Sequence, residues 1–167
     1  MTAIKTLIWS IFVPGTITVL VPYWLLSTGS TSFPVGLSAV RLIGLLVLAF
    51  AFMIYVWCAW NFTFVGKGTP APFDPPQKLV VKGPYQFVRN PMYVFVALAL
   101  IGEAILFGTP VLIIYAGLAV IFCHLWVVYY EEPTLRRKFG ESYERYSSRV
   151  SRWLPRLPPP EDIMGTR

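Results

Sequence analysis

Residues 110–133 read PVLIIYAGLAVIFCHLWVVYYEEP: an apolar run from Pro110 to Tyr130 with no lysine, arginine or carboxylate, closed by Glu131, Glu132 and Pro133. A helix needs about 20 such residues to cross the hydrocarbon of a bilayer. The run therefore reads as a transmembrane helix ending in paired acids. Upstream, three more apolar segments separate cleanly: Ile4 to Leu26, Leu37 to Phe62 and Pro91 to Phe107. The expected fold class is all-α. It is a polytopic membrane bundle of four transmembrane helices in one domain over 1–167, with a loop over 63–90 and a C-terminal amphipathic juxtamembrane helix in the tail over 131–167.

Composition points the same way. Of 167 residues 56% are hydrophobic and only 13% charged, with a mean hydropathy of +0.61, outside the usual soluble range. The formal charge of +6 lies beside the apolar runs rather than in a basic domain. That favours a membrane surface as partner and excludes a duplex-binding module. Cys58 and Cys123 lie inside apolar runs, where they read as packing residues rather than a disulfide framework or a CxxC metal site. A single histidine, His124, cannot build a multi-histidine zinc site, so no metal is expected.

The third segment is short for a span, but Asn90 is a good N-cap and Pro91 suits the first helical position. The first is too long for the apolar region of a signal peptide and reads as a retained span, kinked at Pro14, Gly15 and Pro22. Lys67, Lys78, Lys82 and Arg89 crowd the middle loop, and Arg136, Arg137, Lys138, Arg145, Arg149, Arg152 and Arg156 fill the tail. The connections at 27–36 and 108–109 carry no charge. The positive-inside rule then puts both termini, the middle loop and the tail in the cytosol. Arg41 falls at the outer end of the second span, where its stem can snorkel. In the tail, Leu135, Phe139, Tyr143, Tyr146 and Val150 recur at helical spacing among charged residues. This is an amphipathic helix suited to lying in the membrane interface.

Three cytosolic elements converge if these spans form a bundle: the Gly- and Pro-rich loop, the start of the Pro91 helix, and the Glu131-Glu132-Pro133 junction. The Pro91 helix aims its free N–H groups and positive dipole end at the cytosol beside Arg89, which suits a carboxylate or phosphate. Two acids at a helix C-terminus oppose its dipole. Either Pro133 makes them the first acids of a following helix, or they face a cationic or polyhydroxyl ligand. Glu103 and His124 lie within spans and are functional candidates by position, Glu103 reading as structural and His124 as either a site group or a bundle histidine.

The stretch Lys82-Gly83-Pro84-Tyr85-Gln86-Phe87-Val88-Arg89-Asn90-Pro91-Met92-Tyr93, followed by Glu131-Glu132-Pro133-Thr134-Leu135 and Phe139-Gly140-Glu141-Ser142-Tyr143-Glu144-Arg145-Tyr146, resembles the isoprenylcysteine carboxyl methyltransferase and phospholipid methyltransferase superfamily. The resemblance covers roughly Gly66 to Pro155. It implies a membrane enzyme that takes S-adenosyl-L-methionine as co-substrate, with no metal, and methylates a lipophilic acceptor entering from the bilayer. By position it places cofactor contacts at Gln77, Lys78, Leu79, Val80, Tyr85, Asn90, Pro91, Met92, Tyr93 and Glu131. Arg89 and Glu132 are the neighbouring catalytic candidates, Glu132 as a base for an amine or thiol acceptor.

The acceptors so implied are a phospholipid amine, an isoprenylcysteine-like carboxylate or a thiol. Two departures bear on the choice. The prenylcysteine enzymes usually have histidine at the position of Asn90, and arginine at that of Val127, so a prenylcysteine carboxylate lacks an expected partner here. Phe95 also replaces a common glycine. Asn-Pro-Met-Tyr is closer to the phospholipid branch. A non-enzymatic scaffold or accessory subunit is the alternative that explains the spans and charge asymmetry alone.

Overall fold

A computed structural model describes residues 12–29, 36, 38–64 and 79–156. Among them the regular structure is helical throughout. Helix α1 is Phe12–Thr28, α2 is Ala39–Phe64, α3 is Pro91–Phe107, α4 is Pro110–Phe139 and α5 is Glu141–Arg149, with a 3-10 turn at Gly83–Gln86 before α3. Two stretches, Ala39–Asn61 and Pro110–Phe139, are long and apolar enough to cross a membrane, whereas α3 and the described part of α1 are apolar but shorter. Outward-facing side chains on both long helices, including Leu46, Phe50, Met53, Ile114, Leu118 and Phe122, are large and apolar. Such surface is costly in water at about 25 cal/mol per Å² and free of that cost in lipid.

Helix α3 is the centre of the packing. Its Phe95, Val96, Ala99 and Leu100 are buried with Ala51 of α2 and Ala116 of α4, and Ile17 of α1 packs on the same cluster. Lipid offers no hydrophobic drive between helices, so close approach must supply dispersion contacts instead. Glycines make that approach possible: a Cβ on Gly44 would lie 2.9 Å from both the Gly102 carbonyl oxygen and the Leu106 nitrogen. Gly44→Ala is therefore expected to lower thermal stability in detergent by about 1–3 kcal/mol, the usual cost of overpacking. Gly117→Ala, whose added carbon meets nothing within 4 Å, is the control and leaves the midpoint unchanged.

Prolines leave a signature that the sequence does not advertise. Pro22 and Pro133 each follow a widened π turn, Thr16–Leu20 and Val127–Glu131, closed by N–H bonds from Val21 to the Thr16 carbonyl and from Glu132 to the Val127 carbonyl. The wider turn moves the preceding carbonyls off the pyrrolidine ring, so each helix continues past its proline. Pro22 has no N–H for the carbonyl five residues back, that of Ile17. The Tyr115 hydroxyl of α4 donates to it instead, at 2.9 Å.

Two expectations for the tail change as a result. Glu131 and Glu132 do not open a new helix at Pro133, because α4 runs on to Phe139. The amphipathic pattern is real but split by Gly140, whose φ of +51° and ψ of −129° are open essentially to glycine alone. Tyr143, Tyr146 and Val150 then pack with Leu135 and Phe139 on Leu79 and Val81. That apolar face is buried within the protein instead of lying in the interface. Arg41 hydrogen-bonds the Gly36 carbonyl at 2.6 Å.

Candidate active site

The chain enters α3 through the Gly83–Gln86 turn, which buries Tyr85 beside Cys58 of α2, Val80 and Met92. The Tyr146 hydroxyl of α5 donates to the Tyr85 carbonyl at 2.8 Å. Asn90 occupies the N-cap position of α3, yet its side chain does not cap the helix. Its amide donates instead to the Arg152 carbonyl at 3.3 Å. The first turn of α3 thus keeps its N-terminal polarity with no side chain satisfying it.

One turn into α3, the Tyr93 hydroxyl donates to Glu131 Oε2 at 2.7 Å. This bond joins the start of α3 to the π turn of α4, across 38 residues of sequence. The π turn also sends the two neighbouring acids to different partners. Glu132 receives a two-pronged contact from Arg152, Nε to Oε1 at 2.7 Å and an Nη2 to Oε2 at 2.9 Å, and pairs with Arg89 at 3.4 Å. Its side chain is only 6% exposed, so this charge is compensated almost wholly by the two guanidinium groups.

After α5 the chain turns back over this corner as a short strap, residues 151–156. Its backbone is fastened by the Arg89 N–H to the Ser151 carbonyl at 2.8 Å and the Arg156 N–H to the Phe87 carbonyl at 3.0 Å. Trp153 packs edge-on against Tyr93, with ring centres 6.4 Å apart, and its indole N–H donates to His124 Nδ1 at 3.1 Å.

The phospholipid methyltransferase family model matches residues 40–142, well over half of the chain. The chain belongs to the phospholipid methyltransferase family. No curated protein and no solved structure matches it. The matched region of this family member runs from α2 into α5 and holds both Tyr93 and Glu131, whereas Ser151, Arg152 and Trp153 lie beyond it. Together with its long apolar helices, membership makes the protein a membrane methyltransferase, and the family implies lipid substrates.

Of the residues singled out by sequence, the methyltransferase fold gathers most around one corner. Val80, Tyr85 and Met92 share an apolar cluster, Tyr93 meets Glu131, and Arg89 meets Glu132. Pro91 is fully buried, and Leu79 packs toward the tail tyrosines. Gln77 and Lys78 lie outside the described residues. Glu103 lies about 18 Å along α3 from Pro91, half-buried and remote from this corner. Sequence reading gave Arg152 a part only in the basic charge of the tail, and Trp153 a part only in ending the tail helix. No local signal marked them, since their partners lie 20 and 29 residues away.

Glu132 lies past the uncharged apolar run of α4, which ends at Tyr130. Burial alone would push its carboxyl up, but the hydrogen bonds from Arg152 and the charges of Arg89, Arg152 and Arg136 outweigh it and hold it below the ordinary carboxylate range. A group with a depressed folded pKa stabilises the fold above its unfolded value and loses that contribution as pH falls through the folded one. The contribution of Glu132 to the thermal midpoint is accordingly expected to be constant from neutral pH down to about 5 and to be lost below about 4.3, the ordinary glutamate value. Glu132→Gln should start lower and show a smaller acid step; an identical step in the variant assigns the pH dependence to other groups.

Proposed function

We propose that this methyltransferase moves a methyl group from S-adenosyl-L-methionine to a phospholipid amine at the cytosolic face of the membrane. The observation that carries the reading is the Tyr93 to Glu131 hydrogen bond, which brings the mouth of α3 and the foot of α4 to one place. In this reading α1 and α3 also span, giving four spans with both termini in the cytosol. The lysine and arginine distribution supports that orientation.

The groups at the corner fit such a donor. Arg89 Nε and Ser151 Oγ are buried without a hydrogen-bond partner among the described residues. Buried donors of that kind are rarely left unsatisfied. Arg89 and the uncapped start of α3 (Asn90, Pro91, Met92) are assigned to the carboxylate of the methionine moiety. Glu131, whose Oε1 has no partner among the described residues, is assigned as hydrogen-bond acceptor for the ribose hydroxyls or the amino group. Tyr85, Val80 and Met92, with Leu79, Gln77 and Lys78 leading into them, are assigned to the adenosine side. When bound, the donor supplies an electrophilic methyl group on a sulfonium.

The ammonium of the acceptor first gives its proton to water, and the neutral amine then attacks the methyl carbon as the carbon–sulfur bond breaks and S-adenosylhomocysteine leaves, so the protein supplies orientation more than acid–base work. Tyr93 holds the Glu131 carboxylate in one rotamer, and the strap covers it. Glu132 is a poor base here, because two arginines stabilise its ionised form; its role is to tie the strap to α3 and α4. Val127 is fully buried in the π turn, where it offers an acceptor carboxylate no cation. That favours an amine over a prenylcysteine carboxylate. Incubating the purified protein with methyl-labelled S-adenosylmethionine and a total lipid extract should place label in the phospholipid amine fraction; label confined to prenylated thioether acids, or none in any lipid, rejects the reading.

A further inference from the structure

His124 is a titratable side chain near this corner that the proposed chemistry leaves unused. It sits on an exposed flank of α4, seven residues before Glu131 and so about 10 Å further into the bilayer. Its Nδ1 accepts the Trp153 indole N–H at 3.1 Å, and the two rings lie 5.8 Å apart. An indole N–H can only donate, so the imidazole must present Nδ1 as acceptor and, when neutral, carry its proton on Nε2. The Nε2–H is thus a fixed donor, with no partner among the described residues. Around it Ile121, Leu125 and Trp126 expose apolar surface to lipid. Trp153 in turn packs on Tyr93, the partner of Glu131. One continuous wall of side chains therefore runs from the lipid-facing side of α4 to the corner where the methyl donor is assigned.

We infer that His124, oriented by Trp153, binds a phosphate or glyceryl-ester oxygen of the acceptor lipid while its headgroup reaches the corner at Tyr93 and Glu131. The inference rests on the proposed phospholipid acceptor and adds the residue that selects it. The depth agrees with the chemistry. The headgroup layer is about 5–7 Å thick on each side of the hydrocarbon, so a donor about 10 Å below Glu131 meets the boundary where lipid phosphate and ester oxygens end. A hydrogen bond in that region is worth making, because a lipid oxygen there has little water to turn to. His124 is a specificity residue in this account; it does not touch the reacting atoms.

The test uses the full chain in detergent micelles and dioleoylphosphatidylethanolamine as probe. Native mass spectrometry is expected to show that His124→Leu retains this lipid about fivefold less than the parent chain, the loss of one hydrogen bond, while His124→Gln, which keeps a donor, recovers most of the retention. In turnover, His124→Leu should raise the KM for the lipid about tenfold at unchanged kcat and unchanged affinity for the methyl donor. Equal retention by His124→Leu overturns the inference whatever the activity, and so does a fall in kcat at constant lipid KM. Retention that depends on His124 in a chain that transfers no methyl group keeps the lipid subsite and removes the methyl transfer.

Discussion

Replacing Glu131 with alanine is expected to weaken S-adenosylmethionine binding about a hundredfold while the protein stays folded. The carboxylate sits at the meeting point of α3 and α4, one oxygen held by Tyr93 at 2.7 Å and the other without a partner among the described residues. A hydrogen bond to an ionised group contributes about 1.5–3 kcal/mol, and a donor with two ribose hydroxyls or an ammonium loses at least one such bond in the variant. Tyr93→Phe keeps the ring and the Trp153 packing but releases the carboxylate, so about a tenfold loss is expected there. Titration calorimetry of detergent-purified variants, with circular dichroism as a check on folding, reads both. Parent-like affinity in Glu131→Ala removes Glu131 from the site.

The second large effect concerns the strap. Glu132→Ala leaves Arg89, with 11% of its side chain exposed, and Arg152, with 34%, facing each other without a counter-charge. Breaking a buried pair from one side costs about 3–5 kcal/mol, and the partial exposure of Arg152 argues for the lower end. Residues 151–156 should then loosen, since they keep only the backbone bonds to Arg89 and Phe87, the Asn90 amide and the Trp153 contacts with Tyr93 and His124. Limited trypsin digestion is expected to cut the variant at Arg152 and Arg156 many times faster than the parent, together with a lower thermal midpoint. Equal cleavage rates place the anchoring of the strap elsewhere.

The parts of this architecture that were readable in the sequence are those with local causes. The run Pro110 to Tyr130 is apolar enough to announce a span, and Asn90-Pro91 marks the start of α3 because N-terminal helix signals are short range. The period of Leu135, Phe139, Tyr143, Tyr146 and Val150 identified the residues that cluster, but not their partner. Periodicity reports a buried face without saying whether lipid or protein covers it. Gly140 held the missing information, since its left-handed backbone folds that face back onto Leu79 and Val81.

Pro133 misled for a related reason. A proline in a helix normally ends it, and only a π turn one step upstream lets α4 continue. That turn also aims Glu131 at Tyr93 and Glu132 at the two arginines, a division invisible in the bare dipeptide Glu-Glu. Arg152 and Trp153 were illegible because their partners, Glu132 and His124, lie 20 and 29 residues away and no periodic pattern connects them.

Ultraviolet cross-linking of labelled S-adenosylmethionine to the purified protein, followed by peptide mapping, locates the methyl donor. Label is expected on two peptides, one covering Tyr85 to Tyr93 and one covering Glu131, with competition by unlabelled S-adenosylhomocysteine. Specific label confined to the far ends of α2 or α3, around Gly44 or Glu103, contradicts this placement.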